Sequence, residues 1–99
     1  MIKVNIVKDD SFKKVIIDGH ALYDDFGKDI VCAATSSIVT TTVNAILSLK
    51  EDAINYKYME NSFVIDNISN DETTQKLIGN MVGLLEELQE NYPKNIIVK

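Results

Sequence analysis

Five extended runs separated by two helix-length segments restrict this chain to few ways of folding. Ile2, Val4 and Ile6 alternate with polar residues at the start of the sequence. A second run, from Phe12 to Asp18, is rich in β-branched residues and follows the turn sequence Asp9-Asp10-Ser11. A period of two is typical of a strand with one buried face, and the turn joins the two runs. The chain is therefore predicted to open with a β-hairpin.

The first helix-length segment runs from Ile30 to Lys50 and follows Asp29, a residue type suited to the N-cap position. The middle of the segment, Ser36 to Val43, contains β-branched and hydroxyl side chains with poor intrinsic helix propensity. Packing must therefore hold this helix. Its apolar face is predicted to consist of Ile30, Ala34, Ile38, Ala45, Ile46 and Leu49.

A second hairpin is predicted from two extended runs, Ala53 to Met59 and Phe63 to Ile68, which are separated by a short polar connection. In the first of these runs, Ile54, Tyr56 and Tyr58 alternate with polar residues. This alternation again indicates a strand rather than a helix.

The second helix has the clearest pattern in the sequence. Ser69 and Glu72 have the spacing of a capping box, and the helix is predicted to end before Tyr92-Pro93. Residues Ile96 to Val98 then form a predicted short final strand. The apolar stripe of the helix consists of Leu77, Met81, Leu84, Leu85 and Leu88.

The resulting order, β-β-α-β-β-α-β, predicts an α+β fold in which two helices cover one face of a mostly antiparallel sheet. With 99 residues, of which 45% are hydrophobic, the chain is too short for two hydrophobic cores. Residues 1–99 are therefore expected to form a single domain.

The charge pattern argues against several classes of partner. The net charge is -5, and all ten basic residues are lysines, so the chain has no guanidinium fork for phosphate or guanine. Nucleic-acid binding is not expected. The longest uninterrupted apolar run, Ile30 to Ala34, is far shorter than a membrane span, and a single cysteine forms no internal disulfide. A cytoplasmic protein without a membrane segment is expected.

Cys32 is the first candidate for chemistry. With Asp29 as the N-cap, Cys32 is the third residue of the helix, where unpaired N–H groups and the helix dipole favour a thiolate. At the reference pKa of about 8.5, only about 3% of a thiol is ionised at pH 7, so even a modest shift increases the nucleophile severalfold. The Asp29 carboxylate opposes that shift, and a nearby positive group would favour it.

His20 is the one histidine of the chain and precedes Cys32 by twelve positions. The intervening segment from Gly19 to Lys28 lacks a clear period and is predicted to be a loop, which can fold His20 back onto the start of the helix. The pair would then consist of Cys32 as the nucleophile and His20 as the thiolate partner and proton donor. By spacing alone, an inert core cysteine and a solvated loop histidine remain the competing interpretation.

Ser36 lies one turn after Cys32. Its hydroxyl group is placed to bond the thiolate or a substrate, although a helix serine more often bonds back to its own backbone. One histidine and one cysteine supply no metal-ligand set, and the sequence contains no cofactor motif. Neither a metal nor a cofactor is predicted.

The segment between Gly19 and Ser36 resembles the signature of the bacterial ribosomal-processing cysteine proteases, a small family also catalogued as a domain of unknown function. The matching residues are Gly19-His20-Ala21, Tyr23, Gly27, the run Asp29-Ile30-Val31-Cys32-Ala33-Ala34, and Ser36. The rest of the chain is compatible with that family in length and in element order.

The resemblance implies that His20 and Cys32 are the catalytic dyad and that Gly19, Asp29 and Ser36 support the site. It further implies a homodimeric endopeptidase that removes a hydrophobic N-terminal extension from the large-subunit ribosomal protein numbered twenty-seven. Two other functions remain open at this point. One is a non-catalytic ribosome-assembly or peptide-binding factor in which Cys32 is structural, and the other is a redox-sensing thiol.

Overall fold

A computed structural model describes residues 1–19 and 30–99 as a five-stranded sheet with two helices. The predicted α+β class and the order β-β-α-β-β-α-β are confirmed. The predicted loop between Gly19 and Lys28 lies, from residue 20 onward, outside the described residues. The elements are β1 (Ile2–Lys8), β2 (Phe12–Asp18), α1 (Ile30–Leu49), β3 (Asn55–Tyr58), β4 (Ser62–Asp66), α2 (Glu72–Asn91) and β5 (Ile96–Val98).

The strands lie in the order β3-β4-β2-β1-β5. All neighbouring pairs are antiparallel except β1 and β5, which are parallel. The hairpin turn between β1 and β2 is closed by Asp9, whose carboxylate accepts a hydrogen bond from the Ser11 backbone N–H at 3.0 Å. This bond lowers the pKa of the Asp9 carboxyl group. The predicted opening hairpin is therefore confirmed.

Both helices pack on the same face of the sheet. The register aligns Val4 with Ile17, and Ile17 with Phe63, so these side chains point to one face. They share a single buried cluster with the inner residues of α1 and α2, whereas Val64 points to the opposite face and lies outside that cluster. The predicted placement of the helices on one face is confirmed.

The topology also fixes the direction of each helix. Strands β2 and β3 are both antiparallel to β4, so they run parallel to each other, and α1 connects the end of β2 to the start of β3. The helix therefore begins at the sheet end where β2 finishes. At its other end, Lys50 forms an ion pair of 3.7 Å with Asp71, beside the start of α2. The two helices run antiparallel.

The predicted apolar face of α1 was correct only in part, since Ile46 is buried and Ala34, Ile38 and Ala45 are half-buried. Ile30 and Leu49 are 67% and 68% exposed, and among the six predicted residues only Ile46 is fully buried. The buried face includes two threonines. The Thr42 hydroxyl is satisfied within the helix, where it donates to the Ile38 carbonyl oxygen at 2.9 Å. The buried residues are Val31, Cys32, Thr35, Val39, Thr42, Val43 and Ile46.

Helix α1, with 20 residues, also meets the length and hydropathy of a membrane span, with a mean hydropathy of 1.7 over an 18-residue window. Counting uninterrupted apolar residues missed this property, because serine and threonine interrupt the run while contributing little polarity. The helix does not stand apart from the fold, however. Its buried apolar residues belong to the same core cluster as the sheet and α2.

The start of α2 differs from the predicted capping box. The N-cap is Asp71, whose carboxylate accepts hydrogen bonds from the Thr74 backbone N–H and hydroxyl, each at 2.8 Å. Ser69 supports this cap from outside, since its hydroxyl donates to the same carboxylate at 3.0 Å. These hydrogen bonds, led by that of the Thr74 backbone, lower the pKa of Asp71.

The second hairpin is shorter than predicted, with strands of four and five residues. Ala53 and Ile54 are buried before β3 begins, and the Ala53 carbonyl oxygen accepts a hydrogen bond from Ser69 instead of joining the sheet. Asn67 follows β4 with a φ of 47°, which breaks the extended conformation. The chain turns there toward the start of α2.

We expect Asp71→Asn to reduce stability in a pH-dependent manner. Because the pKa of Asp71 is lowered in the folded state, its ionised carboxylate stabilises the fold at pH values above 3.8, the ordinary pKa of the group. This contribution is lost as the pH falls through the lower pKa of the folded state. The difference in unfolding free energy between wild type and variant should therefore shrink in acid. Chemical denaturation at a series of pH values measures it, and a constant difference would contradict the assigned cap.

Candidate active site

Cys32 lies in the first turn of α1 as its third residue, as the sequence predicted. Its side chain is only 4% exposed and belongs to the core cluster. The opening turn of a helix has backbone N–H groups without intrahelical carbonyl partners, and these favour a negative charge. The sulfur therefore occupies a sheltered position at the electropositive end of α1.

Gly19 directly follows β2 and can only be glycine for two separate reasons. Its φ is +73°, a left-handed conformation that side chains disfavour. A Cβ atom at this position would also overlap the Met1 carbonyl oxygen. The Gly19 backbone N–H donates to the Asn61 carbonyl oxygen at 3.0 Å, which ties the residue to the β3–β4 turn. The backbone leaving β2 is thus fixed on two sides.

Asp18 and Ser62 form a brace beside Gly19 that the sequence analysis missed. They are register partners on β2 and β4, and the Ser62 hydroxyl donates a hydrogen bond to the Asp18 carboxylate. Both side chains are partly buried. Only the pairing of β2 with β4 brings them together, and their 44-residue separation in sequence gives no local signal.

The fold brings the start of α1 and the end of β2 to the same end of the sheet. A helix of 20 residues is about 30 Å long, and Cys32 lies at the beginning of α1, far from the ion pair between Lys50 and Asp71. Gly19 lies at the end of β2. His20 and Asp29, the other two predicted site residues, are the neighbours in sequence of Gly19 and Ile30, and they lie outside the described residues.

Ser36 lies one helical turn after Cys32. Its hydroxyl donates to the Cys32 carbonyl oxygen at 2.9 Å, the backbone contact that serines in helices commonly make. The bond reinforces the turn that carries the cysteine. Across residues 1–19 and 30–99, no three His, Cys, Asp or Glu side chains are grouped closely enough to hold a metal ion.

Comparison with known proteins identifies the family. The family described as cysteine protease Prp matches residues 1–97. The chain belongs to the Prp family of cysteine proteases. A ribosomal processing cysteine protease Prp from Staphylococcus aureus is 36% identical to it over 97% of this chain and 95% of its own length.

Two crystal structures of Prp from S. aureus share the fold. One is in complex with a substrate peptide, with a TM-score of 0.87 and 32% identity over 100% of this chain and 98% of that chain. The other is in complex with a covalently linked product peptide, with a TM-score of 0.88, 33% identity and the same coverage. Membership of the Prp family confirms the prediction of a cysteine protease over a non-catalytic factor or a redox sensor.

We expect Gly19→Ala to destabilise the protein and to impair its peptidase activity. A left-handed conformation costs a non-glycine residue about 1–2 kcal/mol, and the overlap with Met1 adds to this cost. Relief of the strain would redirect the chain that leaves β2. Thermal denaturation and peptide cleavage measure the two effects.

Gly83→Ala is the matched control for this prediction. Gly83 lies within α2, where a Cβ atom would meet nothing within 4 Å. Alanine is favoured over glycine inside a helix, so this variant should be at least as stable as wild type and equally active. Equal stability of Gly19→Ala and Gly83→Ala would show that the constraint at Gly19 is unimportant.

Proposed function

We propose that this member of the family is an endopeptidase that removes a short N-terminal extension from the large-subunit ribosomal protein numbered twenty-seven. Cys32 is the nucleophile and His20 its partner. The observation that carries the proposal is the position of Cys32, at the sheet end where β2 is followed by Gly19, the residue before His20 in the sequence. A covalently linked product peptide in the relative from S. aureus supports nucleophilic catalysis.

The proposed reaction proceeds through a thioester. The Cys32 thiolate attacks the scissile carbonyl carbon, and backbone N–H groups in the first turn of α1 stabilise the resulting oxyanion. The C–N bond then breaks while the His20 imidazolium gives its proton to the departing amine. Water hydrolyses the thioester, releasing the extension as a carboxylic acid and regenerating the thiol.

The supporting residues have different proposed roles. Gly19 fixes the backbone that precedes His20, and Ser36 holds the Cys32 turn through its 2.9 Å hydrogen bond. Asp29, which directly precedes α1 in sequence, is proposed to cap the helix and to orient the site. None of these residues is assigned a covalent step.

The proposed biological setting follows from the same substrate. The enzyme acts in the cytoplasm as a homodimer, with residues 1–99 forming one catalytic domain, and it binds neither nucleic acid nor membrane. A net charge of -5 attracts basic ribosomal proteins, which must neutralise RNA phosphates. The hydrophobic extension of the precursor requires an apolar binding surface.

We expect Cys32→Ala to abolish cleavage while leaving the fold intact. The substitution removes the nucleophile and loses only a small side chain from the core. Mass spectrometry of the precursor after incubation with wild type or variant detects release of the extension. Circular dichroism checks the fold of each protein.

Ser48→Ala provides a control on the same helix. The Ser48 hydroxyl bonds back to the Ala45 carbonyl oxygen at 2.7 Å, near the end of α1 that is remote from Cys32. This variant should cleave at the rate of wild type. Release of the extension by Cys32→Ala at an undiminished rate would overturn the proposal.

A further inference from the structure

Strand β3 lies at one edge of the sheet formed by the described strands. Met59 and Ser62 exchange two backbone hydrogen bonds, of 2.7 and 3.4 Å, at the turn into β4. Hydrogen-bonded and non-hydrogen-bonded pairs alternate along an antiparallel ladder. Lys57 therefore directs its backbone groups toward β4, while Tyr56 and Tyr58 direct theirs outward. The edge offers two N–H donors and two carbonyl acceptors to an added strand.

The same two tyrosines form an exposed aromatic surface. Tyr56 and Tyr58 are 49% and 62% exposed, and they lie on the helix-covered side of the sheet. Their ring centroids are 5.8 and 4.8 Å from that of the buried Phe63, which supports them from below. Met59, 55% exposed, extends the surface at the end of the strand. An apolar side chain of an added strand would pack on these rings.

The aromatic edge of β3 leads toward the active site. Strands β2 and β3 run parallel, so Tyr58 and Gly19 lie at the same end of the sheet, and the β3–β4 turn contacts Gly19 through the Asn61 carbonyl oxygen. Cys32 lies at this end of α1. A peptide along β3 thus approaches the cysteine from one side.

The charges around β3 favour a peptide with basic residues over a second copy of this chain as the partner of this edge. Glu51, Asp52 and Glu60 are exposed on either side of β3, and Lys57 is the one basic residue of the strand. A second copy pairing through the same edge would bring three carboxylates of one chain against three of the other. A peptide with alternating apolar residues and cationic flanks fits both the rings and the charge.

We propose that β3 is the docking strand for the substrate, which adds to its outer edge as an extended peptide. This inference rests on the proposed function, since the peptide in question is the apolar extension that is removed. Side chains of the peptide alternate between the two faces of the extended sheet. The Tyr56 and Tyr58 rings therefore contact every second side chain of the extension, and the side chains between these point to the other face of the sheet.

Peptide binding to Cys32→Ala protein tests the proposal without turnover. The probe is a fluorescently labelled synthetic peptide that spans the precursor extension and the first residues of the mature protein, with fluorescence anisotropy as the readout. Introducing Tyr58→Ala into the Cys32→Ala protein should weaken its affinity for the peptide about fivefold or more, because an aromatic contact is lost. Adding Asn55→Ala, which removes an exposed side chain on the opposite face of β3, should leave the affinity unchanged.

An alanine scan of the peptide against the single folded Cys32→Ala protein provides a second test. Affinity should fall at alternate positions of the extension, and it should weaken as ionic strength rises. A scan without this period of two would overturn the proposal. Equal affinities for the Tyr58→Ala and Asn55→Ala proteins would do the same.

Two further outcomes separate the competing explanations. If Tyr58→Ala alters the mass measured by sedimentation while peptide affinity is unchanged, a second copy occupies the edge and the proposal fails. If the alternating pattern appears but wild type leaves the precursor intact, the docking strand is supported and the proposed peptidase function fails.

Discussion

The close approach of the Gly19 backbone to the Met1 carbonyl group is the contact on which the placement of the site depends. It is possible only without a Cβ atom and in a left-handed conformation. The contact holds the end of β2 against the first residue of the chain, while the hydrogen bond to Asn61 holds it against the β3–β4 turn. The backbone is therefore held on two sides up to Gly19, the residue that precedes His20 in the sequence.

The two crossovers of the sheet explain why Gly19 lies at the same end of the sheet as Cys32. Because both helices cover one face and connect parallel strands, each helix must begin where its preceding strand ends. The start of α1 is consequently at the Gly19 end of the sheet, and its opening turn carries the cysteine. Tyr58 reaches the same end along the edge strand β3. The topology thus brings Cys32, Gly19 and Tyr58 to the same end of the sheet, although they are distant in sequence.

Local patterns were sufficient to predict the order of the elements. The period-two runs and the leucine stripe of α2 identified strands and helix, and the turn at Asp9 formed as expected. The inner face of α1 was predicted only in part. Its buried residues include Thr35 and Thr42, which an apolar count does not select, and they include Val31 and Val39, each one position after a predicted residue. Thr35 is fully buried, and its hydroxyl has no hydrogen-bond partner among the described residues, a costly arrangement that no sequence pattern indicates.

The candidate site was predictable only in part. Cys32 at the third position of a helix followed from the N-terminal pattern of α1, and Gly19 from its place at the end of a strand. The Asp18–Ser62 brace and the contact of Gly19 with Met1 depend on chain segments that are distant in sequence, so no local pattern indicated them. Similarly, Ser69 and Asp71 are both residue types that cap helices, and they lie only two positions apart. The hydrogen bond from the Thr74 backbone N–H to the Asp71 carboxylate identifies Asp71 as the N-cap.

We propose that His20, which follows Gly19 in the sequence, is the partner of the Cys32 thiolate. The rate of Cys32 alkylation by iodoacetamide, measured against pH in wild type and in His20→Ala, tests it most directly. An imidazolium partner stabilises the thiolate, so the wild-type rate should reach half its plateau at a lower pH than the variant rate. Coincident pH profiles for the two proteins would contradict the claim.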